Sequence, residues 1–400
     1  MSVVGVTGML VVSILTCVDV ILRWLFNSPI DGLNEVVANV IGVAVAATFA
    51  AGVSQKVHIN VDLLGGVLRG RLRDWFDLGG GMLLLGMLML VAWRLWIFAG
   101  QLDERGAQLM VHAWPAAPFI WCMSLLVGAG AGMQFLVLVS DVLKLMPGAT
   151  TGPAVDRRAA VTGLVLFLFI AFCGWGYEAG IEALKSLLPA DPAQQSLIAF
   201  AVLWVFILLF VPVAPAMAVV GFVGAVISVG FDPALNVVGS ETAAYFTNPN
   251  LSVLPLFLIM GSFASVGGLA DDIYRLAQAL FGHLRGGLAL ATVGGCAGFG
   301  SLTGSSLATA VTIGRVSIPE MRRRGYSAGL STGCTAAGGT LGQIVPPSAV
   351  LIIYAILTEE SIGRLFVAAV IPALVATLLY LITITLQVRL RPDCAPAVTE

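Results

Sequence analysis

Two stretches rich in glycine, serine and threonine interrupt apolar sequence in the second half of the chain. They lie at residues 300–309 and 338–348. An unpaired backbone group in hydrocarbon costs several kcal/mol, so a helix can break inside a membrane only where the break is buried in protein or lines a cavity. Paired interruptions of this kind are typical of sites that bind an ion and a substrate between discontinuous helices. The two stretches therefore predict one binding site built from both.

The first stretch offers oxygen ligands without a carboxylate. Its candidate binding residues are Ser301, Thr303, Gly304, Ser305, Ser306 and Thr309. Hydroxyl oxygens, with carbonyls freed by Gly300 and Gly304, suit a hard monovalent cation such as sodium, and helix N-termini at the same place suit an anionic group. Close packing through small residues is the alternative explanation, since membrane helices use it widely. A second stretch of the same kind favours the binding interpretation.

The second stretch ends in two prolines. Pro346 and Pro347 lack amide donors and oppose helix in the residues before them. We therefore expect the carbonyls of residues 338–340 to turn toward an ion, with side-chain oxygens added by Gln343 and Ser348. The candidate residues of this segment are Gly338, Gly339, Thr340, Gln343, Pro346, Pro347 and Ser348. A simple proline kink is the alternative.

The composition is that of a helical membrane protein. Hydrophobic residues make up 58% of the 400 residues and charged residues only 10%, against roughly 25% charged residues in soluble domains. Apolar runs predict spans at 3–26, 34–54, 75–100, 115–143, 159–181, 251–270 and 366–388. A longer run at 196–230 predicts two short spans that turn near Pro212 and Pro215, because proline interrupts a helix. The expected fold class is therefore an all-α polytopic membrane protein.

Basic residues are concentrated in alternate loops, which predicts an orientation. They gather at 56–73, 144–158, 275–285, 322–324 and 389–391. Such loops face the cytoplasm, which places both the N-terminus and the C-terminus inside. Since Arg285 and the triplet 322–324 fall on the same side, residues 288–317 are predicted to form a re-entrant helical hairpin with its tip near 300–306. The segment 326–358 is predicted to be a broken helix.

Other motifs are few. The six cysteines stand singly and the three histidines are scattered, so no transition-metal site is expected. The sequence contains no Walker A motif and no nucleophile elbow, so neither ATP-driven transport nor enzyme activity is supported. We expect no cofactor apart from a coupling ion and no nucleic-acid partner. Asp19 and Arg23, four residues apart, predict an ion pair on one helix face.

The interrupted segments resemble a known family. Residues 300–320 (GSLTGSSLATAVTIGRVSIPE), Tyr326 and 336–348 (AAGGTLGQIVPPS) resemble the large membrane subunit of TRAP (tripartite ATP-independent periplasmic) transporters. The first part of the chain is similar to the small subunit of the same transporters at residues 19–29 (DVILRWLFNSP), Glu35, 58–62 (HINVD) and Trp114-Pro115. The chain therefore resembles a fusion of the two subunits.

The resemblance implies a domain plan. Residues 1–148 correspond to the small subunit with four spans, and 149–190 to a linker with a connecting transmembrane helix. Residues 191–400 correspond to the first repeat of the large subunit, an elevator-type fold with one re-entrant hairpin and one broken helix. A full large subunit has two inverted repeats. We therefore expect the large-subunit part to be cut after its first repeat, with a second chain as one possible source of the other.

The resemblance also implies partners and a substrate class. Such subunits work with a periplasmic solute-binding protein and use a sodium gradient to import organic acids, such as dicarboxylates, sialic acid or related carboxylates. The implied location is the bacterial inner membrane, in contact with membrane lipid. Sodium ligands of the family map here to residues 301–306 and 338–340.

Two alternatives remain open from the sequence. One is an ion-coupled anion transporter that needs no binding protein, which the small-subunit resemblance argues against. The other is a non-transporting scaffold or fragment that lacks the second repeat.

Overall fold

The computed structural model describes residues 2–55 and 71–145, and residues 186–395 except 187, 190 and 210. The predicted connecting span 159–181 and the motif residues 58–62 lie outside these ranges. Regular secondary structure in the described ranges is helical, and the extended pairing found there is an isolated antiparallel bridge between Gln108 and Pro115. The all-α expectation is confirmed for this part of the chain.

The chain divides into two units, Met1–Thr247 and Asn248–Glu400. The described helices of the first unit are α1 (Ser2–Phe26), α2 (Leu33–Ser54), α3 (Arg71–Glu104), α4 (Ala117–Leu145), α5 (Pro192–Leu208), α6 (Val213–Val229) and α7 (Phe231–Phe246). Helices α1 to α4 correspond to the first four predicted spans. Each contains a segment long and apolar enough to cross a membrane.

The core of the first unit lies between α2, α3 and α4. Leu95, Met123 and Val127 are almost completely buried there. Alanine is the commonest residue on the buried face of α2, and a Cβ added to Gly42 would lie 2.6 Å from the Phe246 carbonyl. Because lipid is as apolar as these side chains, close van der Waals packing stabilises such contacts more than the hydrophobic effect does.

The predicted ion pair at the end of α1 is present. Arg23 Nη2 donates to Asp19 Oδ2 at 2.5 Å, and the other carboxylate oxygen of Asp19 accepts from the Ile30 amide at 2.7 Å. The carboxylate thereby connects the last turns of α1 to the loop that leads into α2.

The long apolar run at 196–230 forms two helices, as predicted. Helix α5 ends at Leu208 and α6 begins at Val213. Pro212 lies in the connection, whereas Pro215 lies inside the first turn of α6, where a missing amide donor is tolerated. A Cβ added to Gly80 would lie 2.7 Å from Pro212 Cδ, so the connection packs against α3 near its start.

Helix α7 was not predicted. Asn236 accepts a hydrogen bond from the Arg94 guanidinium, and the Phe246 ring lies 6.2 Å from the Phe49 ring. The helix therefore packs beside the membrane-spanning parts of α3 and α2. Asp232 and Glu241 lower its mean hydropathy below that of a span, which is why the apolar pattern did not reveal it.

The second unit contains the two interrupted segments. Its described helices are α8 (Val253–Val266), preceded by a 3₁₀ turn (Pro249–Ser252), α9 (Leu269–Phe281), α10 (Gly287–Thr303), α11 (Ser306–Arg323), α12 (Ala328–Ile344), α13 (Ala349–Leu357) and α14 (Ile362–Leu390). In the part of the chain that the structure describes, seven helical segments could cross a membrane by length and composition, counting α12 and α13 as one. The chain is thus an integral membrane protein.

Candidate functional site

The tip of the predicted hairpin consists of two residues. Gly304 has a left-handed backbone with φ 58°, and its amide donates to the Gly300 carbonyl at 2.8 Å. Ser305 is the N-cap residue just before α11, and its hydroxyl accepts from the Ala308 amide at 3.3 Å. The Gly300 carbonyl is therefore bonded within the tip. The expectation that it is free was wrong, because α10 continues to Thr303.

Gly304 also fills a space that admits no side chain. A Cβ added there would collide with the Phe257 ring and lie 2.7 Å from the Ala349 nitrogen. The tip is therefore held between α8 and the start of α13. Glycine is required at this position both for the left-handed conformation and for the close approach.

The two arms of the hairpin run in opposite directions along α12. Positions 296 and 300 of α10 face positions 338 and 342 of α12 in the same order, and positions 305, 310 and 314 of α11 face 342, 339 and 335 in the reverse order. A Cβ added to Gly300 would lie 2.6 Å from Gly342 Cα. The glycines thus serve close packing, the alternative considered from the sequence, and they do so around the hairpin tip.

The break in the second segment lies later than the sequence indicated. Residues 338–340 stay helical, and the Val345 amide still donates to the Leu341 carbonyl at 2.8 Å. The expectation that carbonyls 338–340 turn out of the helix was wrong. In an α-helix each amide bonds to the carbonyl four residues earlier, so Pro346 and Pro347 remove the helical donors of Gly342 and Gln343 instead.

Four helix ends meet at this place. The C-termini of α10 and α12 and the N-termini of α11 and α13 converge, since Gly304 contacts Ala349 and a Cβ added to Gly342 would lie 3.0 Å from the Ser305 carbonyl. Helix C-termini carry about half a negative charge and N-termini about half a positive charge. The arrangement therefore places carbonyl oxygens suited to a cation next to amides suited to an anion.

Polar side chains at the junction are buried. The hydroxyls of Thr303 and Thr309 lie 2.9 Å apart, and Thr303 also donates to the Phe299 carbonyl at 3.3 Å. Ser348 is fully buried at the break and donates to the Gln343 carbonyl at 2.7 Å. These hydroxyls keep lone pairs free to accept or to ligate.

Other predicted residues lie at the edge of the junction. Ser301 donates to the Gly298 carbonyl at 2.7 Å, and Ser306 is half-buried in the first turn of α11. Gln343 is exposed, and exposed Thr340 contacts the Tyr380 hydroxyl at 3.1 Å. The structure therefore gathers Thr303, Gly304, Ser305, Thr309, Pro346, Pro347 and Ser348 around the junction, and their role as ligands stays a prediction.

Sequence reasoning missed three contributors. Phe257 and Gly261 of α8 pack on the tip, and a Cβ added to Gly261 would lie 2.8 Å from the Leu302 carbonyl. Gly342 is the glycine at which α10 and α11 both approach α12. An isolated glycine inside an apolar helix was the available signal for Gly261, because it marks a close helix contact.

Family profiles match both parts of the chain. The profile for the tripartite ATP-independent periplasmic transporter DctM component matches residues 200–399, and the profile for the DctQ component matches residues 12–148. The chain belongs to the TRAP transporter family. It carries small-subunit and large-subunit TRAP sequence on one polypeptide, as the resemblance indicated.

Curated TRAP relatives match over different lengths. The C4-dicarboxylate TRAP transporter large permease protein DctM of Pseudomonas aeruginosa is 40% identical over 151 residues, 38% of this chain and 35% of that protein. The sialic acid TRAP transporter permease protein SiaT of Haemophilus influenzae is 25% identical over 386 residues, 94% of this chain and 58% of that protein. The isethionate TRAP transporter permease protein DctMQ of Oleidesulfovibrio alaskensis is 38% identical over 128 residues, 32% of this chain and 20% of that protein. The matches thus span between 20% and 58% of the length of these relatives.

Proposed function

We propose that this chain is the membrane component of a sodium-coupled secondary transporter that imports organic acids delivered by a periplasmic solute-binding protein. Membership of the TRAP family supports the partner and the transport class. The observation that carries the proposal is the convergence of two helix C-termini and two helix N-termini around Gly304 and Ala349.

Sodium binds on the carbonyl side of this junction in our proposal. The last carbonyls of α10 and α12, among them that of Gly342, lack helical donors. The buried Thr309 hydroxyl lies beside Gly342, and the buried Ser348 hydroxyl donates to the Gln343 carbonyl. Neutral carbonyl and hydroxyl oxygens suffice to bind a monovalent hard cation. In other transporters, carbonyls at helix breaks and helix C-termini coordinate sodium in this way.

The carboxylate of the substrate binds on the amide side. Helices α11 and α13 present their N-termini to the junction, and N-termini stabilise anions through free amides and the helix dipole. The relatives are named for C4-dicarboxylates, sialic acid and isethionate, which are anions at neutral pH. We therefore propose an organic acid as substrate without choosing among these.

The proposal includes the family's elevator movement and a second half. Helices α10 to α13 move as one element, in a bacterial inner membrane with both termini cytoplasmic. The large-subunit part represents one inverted repeat, and a second hairpin-bearing repeat completes the transporter, carried by further sequence or by a second chain. An inverted-repeat transporter places its site at the interface of the two repeats, so uptake requires both.

The test is reconstitution of the chain in liposomes with its solute-binding protein, with and without a co-expressed second repeat. Uptake of labelled organic acids is measured under an inward sodium gradient. We expect uptake that requires sodium and the binding protein, and that falls in Ser305→Ala and Gly339→Ala variants. Uptake without the binding protein would favour the independent anion transporter. No uptake by a folded chain under either condition would favour a scaffold.

A further inference from the structure

The loop between α3 and α4 displays apolar side chains at its tip. Met110 is 96% exposed, Val111 57% and Trp114 49%. The loop is nevertheless ordered by its own backbone: the Leu109 amide donates to the Trp114 carbonyl at 2.8 Å, and the Ala116 amide donates to the Ala107 carbonyl at 3.1 Å. The tip is thus a short, closed turn that holds three large apolar side chains outward.

A carboxylate from another helix fixes this turn. Both oxygens of Glu35, in the first turn of α2, accept from the tip, one from the Met110 amide at 3.0 Å and the other from the Val111 amide at 3.1 Å. Hydrogen bonds to an ionised acceptor are about twice as strong as neutral ones. Glu35 and Trp114 are among the residues that carry the small-subunit resemblance. In the structure, Glu35 binds the tip and Trp114 is part of the same loop.

The loop between α1 and α2 packs against the tip. Gly32 has φ 71°, and a Cβ there would collide with the His112 ring. The His112 ring lies 5.2 Å from the Trp114 ring. The loops before α2 and before α4 therefore form one rigid surface, and a preorganised surface loses little conformational entropy when it binds.

Charged residues next to the tip favour a position on the aqueous side of the membrane boundary. Exposed Asp103, Glu104 and Arg105 lie between it and the apolar part of α3. Trp96, a residue type that marks the interface, precedes Glu104 by eight residues, or about 12 Å of helix. These three charged residues separate Met110 from the apolar part of α3. An exposed apolar patch outside the apolar span marks a site for contact with another molecule.

We propose that the Met110–Val111 tip docks the periplasmic solute-binding protein onto the small-subunit part of this chain. The proposal rests on the proposed function for the partner and for the outward orientation of this end. Met and Trp are enriched at protein interfaces, and the rigid tip supplies an apolar anchor on the side from which the binding protein arrives. Its residues are not among those of the ion and substrate site at Gly304.

The first test places the photo-crosslinker p-benzoylphenylalanine at position 110 of the full chain in membranes of the native host. After irradiation, adducts are identified by mass spectrometry. We expect a periplasmic solute-binding protein at this position. The matched control places the crosslinker at Met217 of α6, which is 57% exposed on an apolar helix, and should yield lipid adducts. Adducts at position 110 that contain only lipid, or only a second copy of this chain, would overturn the proposal.

The second test measures affinity in nanodiscs by biolayer interferometry, with the purified binding protein as the probe. We expect Met110→Asp to weaken binding tenfold or more, Glu35→Gln to weaken it less, and Met110→Leu to keep it. Unchanged affinity in Met110→Asp would overturn this docking site and leave the proposed function standing. A wild-type chain that binds no solute-binding protein would overturn both.

Discussion

At the scale of single residues, the junction depends on positions with no spare room. Thr303 and Thr309 share one buried contact of 2.9 Å, and Gly342 faces it so closely that a Cβ would lie 2.8 Å from Thr309 Oγ1. A hydroxyl in such a position is either a structural link or an ion ligand. Removing it weakens sodium binding only if it is a ligand.

We expect Thr309→Val to reduce sodium binding. Valine keeps the shape of threonine but removes the hydroxyl. Thr309→Ser keeps the hydroxyl, so this variant should retain most of the sodium binding. The measurement is the rise in the thermal unfolding midpoint on replacing choline chloride by sodium chloride. A ligand that binds only the folded state stabilises it by an amount that grows with the logarithm of its concentration divided by Kd, so weaker sodium binding gives a smaller rise.

Thr332→Val is the matched control for that substitution. The Thr332 hydroxyl is exposed and bonds within its own helix, to the Ala328 carbonyl at 2.8 Å. The Thr332→Val substitution should leave the sodium-dependent rise in the unfolding midpoint unchanged. A rise that is equal in Thr309→Val and in the wild type would mean that Thr309 is no sodium ligand.

Gly304→Ala should destabilise the protein. A left-handed backbone costs an alanine about 1–2 kcal/mol, and the new Cβ would also collide with Phe257. The expected result is a lower unfolding midpoint in detergent and loss of the sodium effect. Gly333→Ala is the control, since nothing lies within 4 Å of a Cβ there and alanine favours a helix by about 1 kcal/mol over glycine.

At the scale of elements, the two helix breaks have different causes. The hairpin turns because Gly304 adopts a conformation that other residues avoid, followed by a serine cap. Helix α12 stops because two successive residues lack an amide hydrogen. Both breaks expose helix ends to one junction, which neither break would create alone.

Replacing both prolines should separate helix formation from ion binding. In a Pro346→Ala, Pro347→Ala variant, new amides can bond to the carbonyls of Gly342 and Gln343 and extend α12 by part of a turn. We expect equal or higher thermal stability, slow hydrogen exchange of the two new amides, and loss of the sodium-dependent stabilisation. Pro372→Ala in α14 is the control. Retained sodium stabilisation with protected amides would show that the break is unnecessary for binding.

At the scale of the molecule, charge and packing agree in the second unit. In the second unit, Gly286 packs against Val388, and the Ser327 amide donates to the Cys394 carbonyl at 3.0 Å. These contacts bring the basic residues at 285, 322–324 and 389–391 to one end of the unit. That grouping is what the positive-inside rule requires of a cytoplasmic face.

The orientation gives a direct labelling prediction. In a cysteine-free background, Glu359→Cys should react with a membrane-impermeant thiol reagent added outside intact cells. Arg323→Cys should react only after permeabilisation. Both positions are exposed, so access to the reagent decides the result. The reverse pattern would invert the proposed topology and, with it, the side on which the binding protein docks.

Local chemistry made much of the fold readable from the sequence. Apolar runs gave the first four spans, the prolines near 212 separated α5 from α6, and glycine with serine marked the hairpin tip. Helix α7 was not predicted because Asp232 and Glu241 lower its mean hydropathy, and its burial comes from packing against neighbouring helices. The domain limits at 148 and 190 and the ligand roles of the site residues stay predictions.

The sequence by itself determined that this chain is a helical membrane protein with two interrupted segments, because composition and the backbone limits of proline and glycine act locally. Tertiary structure decided which groups those interruptions place together. Gly304 contacts Ala349, and Glu35 accepts from the Met110 amide. These residues are far apart in the sequence, and the spacing of apolar residues does not predict such contacts. Such contacts depend on how helices pack, and packing selects partners by shape and distance in space.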